Sequence, residues 1–227
     1  MTDHDEEDRR NMVEHQIAAR GISDPRVLGA MSDVPRTCFV PTDLAASAYH
    51  DGPLPIGEGQ TISQPYVVAL MVEAMQLVGG EKVLEVGAGS GYAAAVLARI
   101  AREVYAIERI ASLAEMAKQN LKRVGCENVH VLHADGSGGW PSAAPFDAIL
   151  VSAGAPEVPE ALKNQLAIGG RLVIPVGDDP RAQTLLRVTR KRGAKFTQED
   201  LGGVRFVPLI GAQGWDGDDR RRREKGP

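Results

Sequence analysis

"LEVGAGSGY", residues 84–92, decides the fold of this 227-residue chain. It closes a short β-branched run, "KVLEVG" (82–87), and opens an apolar one, "YAAAVLARIA" (92–101). A buried strand gives way to a helix across three glycines, Gly87, Gly89 and Gly91. Glycines there let the backbone turn sharply and let a ligand approach with no Cβ in between. Outward from this stretch the alternation continues. "EVYAIE" (103–108) reads as a strand, "LAEMAKQNLKRVG" (113–125) as a helix stopped by Gly125, and "NVHVLHAD" (128–135) as a strand. "FDAILVSAG" (146–154) is a strand, "PEALKNQL" (159–166) a short helix and "GGRLVIPVG" (169–177) a strand. Strands alternating with helices predict an α/β fold, a doubly wound Rossmann-like parallel sheet covered on both faces. After Gly177 the pattern turns to strands with little helix, which predicts an antiparallel addition at one sheet edge.

Upstream the reading is helical. Met12, Val13, Gln16, Ile17 and Arg20 keep helical spacing before Gly21. A second helix is expected from an N-cap at Ser23, with Pro25 in its first turn and Val27, Leu28 and Met31 on one face, ending at Pro35. Residues 37–63 read as a loop. The expected organisation is a disordered acidic N-terminus (1–10), one domain (11–213) and a charged disordered tail (214–227) that holds the run Arg220 to Arg223.

Composition narrows the function. A net charge of −4 argues against a life spent on nucleic-acid phosphates, and 4% aromatic residues against a base-stacking platform. Cys38 and Cys126 fit neither a metal spacing nor a disulfide framework, so no metal site is expected. "MTDHDEEDRR" has no apolar core of a signal peptide, and no run is long enough for a membrane span. A cytoplasmic protein that engages no membrane is the expectation.

The chemistry sits at strand ends. The spacing G-x-G-x-G brings the third glycine one residue earlier than the dinucleotide fingerprint does, and Glu85 precedes the first. A pyrophosphate does not call for that carboxylate; a cationic methionine moiety suits it. The pattern resembles the first motif of class I S-adenosylmethionine-dependent methyltransferases. Glu108, 21 residues after Gly87, ends the next strand, where a carboxylate can accept from both hydroxyls of a ribose. Asp135 and Gly136 end the third, placed to meet an adenine amino group and ring; an ordinary Asp-Gly turn is the plainer alternative. "PIGEGQTISQP" (55–65) supplies two glycines, two hydroxyls and two carboxamides at the mouth of a helix, with Ser63 as an N-cap candidate. Its donors could hold an anionic acceptor.

Several stretches then carry a fuller resemblance. "VPRTCFVP", "DGPLPIGEGQTISQPYVVALM", "VLEVGAGSGYAAAVLA", "VYAIER", Asp135-Gly136, "FDAILV", "PEALKNQLAIGGRLVIPVG" and "FVPLIG" follow in this order. Together they resemble the bacterial protein-L-isoaspartate O-methyltransferases over about residues 12–212. The departures are small: Ala134 where glycine is common, and "SQPY" for the "SAPH" of some relatives. The resemblance implies a class I methyltransferase sheet with N-terminal helices and a rearranged last pair of strands. It implies S-adenosyl-L-methionine as cofactor and L-isoaspartyl residues of damaged proteins and peptides as partners, for a monomeric enzyme. Ser63 matches the active-site serine, Thr61 and Ile62 line the site, and Gln60, Val204 and Val207 lie toward the acceptor. With Glu85, Gly87, Gly89, Gly91, Glu108, Asp135 and Gly136 these complete the candidate site. Three rivals are weaker: a methyltransferase for RNA or a metabolite, a nicotinamide dehydrogenase, and a binding protein that has lost catalysis.

Overall fold

The computed structural model describes residues 3–179, 182–193 and 195–216. The first departure from expectation comes at the N-terminus. Residues 3–10, expected to be disordered, lie in a helix, α1 (Asp3–Asn11). One pair of its charges is taken into the fold, while Glu6, Glu7 and Arg10 stay exposed. Arg9, only 8% exposed, sits 3.6 Å from Asp5 one turn earlier, and Asp5 accepts from Thr37 Oγ1 at 2.9 Å and Tyr49 OH at 3.1 Å. The chain continues through a π-turn (Met12–Ile17) and a 3-10 turn (Ala18–Arg20) to Gly21, whose φ of 102° ends the run.

Helix α2 (Pro25–Asp33) is capped by Asp24 and not by Ser23. The Asp24 carboxylate accepts from Arg26 N, while the Ser23 and Asp24 N–H groups both donate to Glu73 Oε1. Residues 37–63, read as a loop, contain 3-10 turns and an antiparallel hairpin, β1 (Leu54–Gly57) and β2 (Gln60–Ile62). Glu58 and Gly59 both have positive φ, as a two-residue hairpin turn of the primed type requires. Helix α3 follows (Pro65–Ala74); its N-cap is Gln64, so Ser63 is not a cap.

The sheet then assembles from β3 (Lys82–Val86), β4 (Glu103–Glu108), β5 (Val129–His133), β6 (Phe146–Val151), β7 (Leu166–Asp179), β8 (Ala182–Arg190) and β9 (Phe196–Val204). Helices α4 (Tyr92–Ala98), α5 (Ala111–Arg123) and α6 (Glu160–Gln165) connect them. Among the described residues these seven strands order as β5-β4-β3-β6-β7-β8-β9. β5 through β7 are parallel; β7, β8 and β9 run antiparallel in sequence, the expected edge addition. Burial alternates with period two. Val83, Val104, Ala106, Ala148 and Leu150 pack under α2 to α5, whereas Leu84, Val86, Ile107, Ile149 and Val151 pack toward α6. The strand order reverses at β3, where the chain crosses from β5 to β6, so a crevice opens beyond the carboxyl ends of β3, β4 and β6.

The ordered domain also runs past residue 213. Trp215 N donates to Leu209 O and its indole Nε1 to Gly154 O, which ties the segment after β9 to the end of β6. The Arg220 to Arg223 run expected in a tail lies outside the described residues. Among the described residues no helix is long and apolar enough to cross a membrane.

Candidate active site

The glycine turn is built by hydrogen bonds to the neighbouring strand. Gly87 N and Ala88 N both donate to Ile107 O, at 2.8 and 3.0 Å. Gly89 N donates to Glu108 Oε2 at 2.9 Å, and Ile110 N to Glu108 Oε1 at 2.8 Å. Glu108 thus holds the turn to the end of β4 while each oxygen keeps a second acceptor site. Gly89 faces the hairpin: a Cβ there would meet Ile56 Cδ1 at 3.1 Å. Gly91 has a different duty. A Cβ on it would press on Ala117 and Leu121 of α5, so it serves the approach of α4 to α5 and does not line the cleft.

The hairpin roofs a cleft with two lobes. Both are bordered by Thr61, Gly87, Gly89 and Ser152. Ile62, Ser63, Glu85 and Tyr92 line the first; Gln60, Glu108, Gly136 and Val207 line the second.

Glu85 is the most unusual group in it. It is 1% exposed, and neither oxygen has a hydrogen bond of ordinary geometry among the described residues. Burial first, and the nearby Glu108 carboxylate second, push its pKa up to about 8, against the smaller opposing pull of the Ser152 hydroxyl and the Ala94 main chain. A buried carboxyl without a partner is costly unless a cation meets it. Gly136 borders the second lobe and packs closely on β3 and β4: a Cβ there would fall 2.6 Å from Val86 Cγ1. Asp135, expected at an adenine amino group, does not border the cleft. Its oxygens accept from Ser137 N, Ser137 Oγ and Ala212 N. Partial burial works to raise the Asp135 pKa, but these bonds hold it below the ordinary carboxylate range. Val204 likewise sits at the end of β9 opposite Gln183, away from the cleft; Val207 borders it, and its carbonyl accepts from Gly154 N.

Three residues escaped the sequence reading. Ser152 follows β6 at the strand-order reversal, a position that could have flagged it. Tyr92 opens α4 and was counted only as a helix residue. Arg36 lies fully buried, donating from Nε to Ala48 O at 2.7 Å and from Nη2 to Ser63 O at 2.8 Å. Its partners lie 12 and 27 residues away, which no local pattern reveals.

A partnerless acid under a glycine turn, a second acid bridging that turn to the next strand, and a cleft at the reversal of a parallel sheet define a class I S-adenosylmethionine-dependent methyltransferase. Comparisons with known proteins narrow this. The sequence model of the Protein-L-isoaspartate(D-aspartate) O-methyltransferase (PCMT) family matches residues 7–214, and the chain belongs to that family. It is 59% identical to the protein-L-isoaspartate O-methyltransferase of Rhodopseudomonas palustris, across 95% of this chain and all of that one. It is 61% identical to protein-L-isoaspartate O-methyltransferase 2 of Marinobacter nauticus, across 91% and 94%. A solved protein-L-isoaspartate O-methyltransferase superposes with a TM-score of 0.81 at 31% identity, covering 95% of this chain and 69% of that one. A Plasmodium falciparum structure assigned to the same activity, in complex with S-adenosyl-L-homocysteine, gives 0.78 at 29%, covering 89% and 98%.

Proposed function

We propose that this chain transfers the methyl group of S-adenosyl-L-methionine to the free carboxylate of L-isoaspartyl residues in damaged proteins and peptides. The ester formed then closes to a succinimide without the enzyme, and hydrolysis of that ring returns some normal aspartate. The observation that carries the reading is that Ser63 and the partnerless Glu85 border one lobe of the cleft, beside Gly87 and Gly89.

The residues fit the cofactor. Glu85 would meet a cationic methionine moiety, Glu108 has acceptor sites left for ribose hydroxyls, and Gly136 would border the base in the second lobe. Thr61 and Ile62 close the cleft from the hairpin side. When bound, S-adenosyl-L-methionine supplies an electrophilic methyl on a positively charged sulfur. The acceptor carboxylate, with an ordinary pKa of roughly 4, is already ionised near pH 7 and needs no general base. The protein's task is to align and to exclude water, which is worth about 7–11 kcal/mol of barrier. The Ser63 hydroxyl makes no hydrogen bond to any described residue and is free to orient the acceptor carboxylate. Gln60 and the main chain at Val207 hold the acceptor segment. The acting species in this reading is a cytoplasmic monomer with peptide and not nucleic-acid partners.

The test is transfer of labelled methyl to two synthetic peptides that differ only in one L-isoaspartyl or L-aspartyl residue, quenched in acid because the ester is base-labile. Label on the isoaspartyl peptide alone is expected. Label on neither, with cofactor bound, sinks the acceptor assignment. Ser63→Ala is expected to slow transfer while changing cofactor affinity less than about 2-fold, because the lost hydrogen bond is made to the acceptor alone.

A further inference from the structure

Arg36 is 0% exposed, and no carboxylate lies within 4.0 Å of it among the described residues. Its partners are carbonyl oxygens and a ring: Ala48 O, Ser63 O and the face of Tyr92, whose centroid is 4.8 Å from Cζ. Nη1 is buried with no hydrogen-bond partner of ordinary geometry among the described residues. A charge taken out of water with neither counter-ion nor full hydrogen bonding is among the most expensive things a core can hold. Its two hydrogen bonds satisfy main-chain carbonyls, a structural duty that a neutral donor could perform without the cost of a buried charge.

What Arg36 touches explains its retention. Ser63 and Tyr92, the residues it contacts, both border the lobe that also holds Glu85. One wall of this lobe is an acid without a partner; behind the other stands a guanidinium without a counter-ion. That layout matches a cation on the Glu85 side and an anion on the Ser63 side. A short strand such as β2, three residues long, cannot fix Ser63 by itself. The Arg36–Ser63 bond does so from the core.

We propose that Arg36 is the positioning residue for the acceptor carboxylate: it sets the register of Ser63 through the Ser63 carbonyl and supplies the uncompensated positive charge that favours an anionic acceptor there. The inference rests on the proposed acceptor chemistry and adds to it the group that selects for the anion. Arg36 touches neither acceptor nor cofactor and acts through Ser63 and its own field. Its role is therefore visible in acceptor kinetics and not in cofactor binding.

The experiment measures methyl transfer to the isoaspartyl peptide and cofactor affinity by calorimetry, for Arg36→Lys and Arg36→Met, each alone and with Ser63→Ala. Lysine keeps the charge but cannot reach both carbonyls with a planar fork. Methionine removes the charge and with it the desolvation cost, which offsets part of the cost of leaving the Ala48 and Ser63 carbonyls unpaired, and a thermal melt of each variant separates loss of fold from loss of transfer. Expected are cofactor affinities within about 2-fold of wild type and a loss of kcat/KM of about 10- to 100-fold, the range for a hydrogen bond to a charged group. The KM for peptide rises further for methionine than for lysine. In the Ser63→Ala background the cost of Arg36→Lys shrinks to less than about 3-fold, because the two act as a unit. Fully additive losses, a matching loss of cofactor affinity, or no loss in either variant would overturn the assignment of Arg36. Absence of transfer by the wild type, with cofactor bound, would instead refute the acceptor chemistry and the inference with it.

Discussion

Glu85 sits on β3 with both oxygens partnerless, and the consequences are measurable. Its folded pKa, about 8, lies above the value of 4.5 for a free glutamate. The sign follows. As pH rises from about 4.5 the unfolded chain loses this proton while the folded chain keeps it, so folding stability falls until about pH 8 and then levels. Glu85→Gln removes that penalty. Thermal melts of the cofactor-free protein are expected to show Glu85→Gln more stable than wild type at pH 8 and equal to it at pH 4, since one pKa unit corresponds to about 1.4 kcal/mol. A cation binding beside Glu85 needs the ionised form. At pH 6.5 cofactor binding is therefore expected to release close to one proton, counted by calorimetry in two buffers of different ionisation enthalpy. Glu85→Gln should abolish that release. An unchanged proton count in the variant would place the titration elsewhere. Glu85, Gly87, Gly89 and Glu108 were legible in the sequence because each is fixed by its own strand end. Arg36 was not, because its meaning lies in what it touches across the fold.

The hairpin of β1 and β2 is the element that turns a sheet crevice into a roofed cleft. Strands of four and three residues do not hold together alone. Ile56 and Ile62 are buried in the core, Ser112 Oγ donates to Glu58 Oε1 at the hairpin tip, and Ile56 rests on Gly89. Gly89→Ala tests this contact. The new methyl would lie 3.1 Å from Ile56 Cδ1, in a backbone with φ of 54°. The left-handed backbone alone costs about 1–2 kcal/mol, and overpacking adds to it. A fall in melting temperature together with roughly 10-fold weaker cofactor binding is expected, the latter equal to about 1.4 kcal/mol. Pairing with Ile56→Ala, which vacates the space, should recover affinity but not all of the stability. Failure of that rescue would mean Gly89 serves only the turn. The sequence hid this hairpin because Glu58-Gly59 is a weak turn signal, glutamate seldom taking positive φ. It also misplaced the two helix caps, Ser23 and Ser63. In both cases tertiary hydrogen bonds, to Glu73 and from Arg36, set the local geometry.

At the scale of the whole molecule, the chain's last described residues return to the carboxyl ends of the strands and complete the cleft. Val207 through Ile210 border its second lobe. They are held by Gly154, which donates to Val207 O and accepts from Leu209 N and Trp215 Nε1, and by Asp135, which accepts from Ala212 N. Gln213 N donates to Ser137 Oγ, itself bound to Asp135. The sequence placed Asp135 correctly at a strand end but could not show that a segment 77 residues later occupies its carboxylate. Asp135 thus clamps the end of β5 to the closing segment. Its pKa is lowered below the ordinary value of 3.8, so the clamp is intact at neutral pH and is lost as pH falls through that lowered value. Hydrogen exchange should show it: Asp135→Ala is expected to speed exchange at Ala212 and Gln213 at pH 7 while leaving β3 and β4 unchanged. If 207–210 form part of the cleft wall, the same variant should weaken cofactor or peptide binding about 3- to 10-fold, the range for a charge-assisted bond on a partly exposed site. Faster exchange with unaltered binding would separate the clamp from the cleft and return Asp135 to the role of an ordinary turn residue.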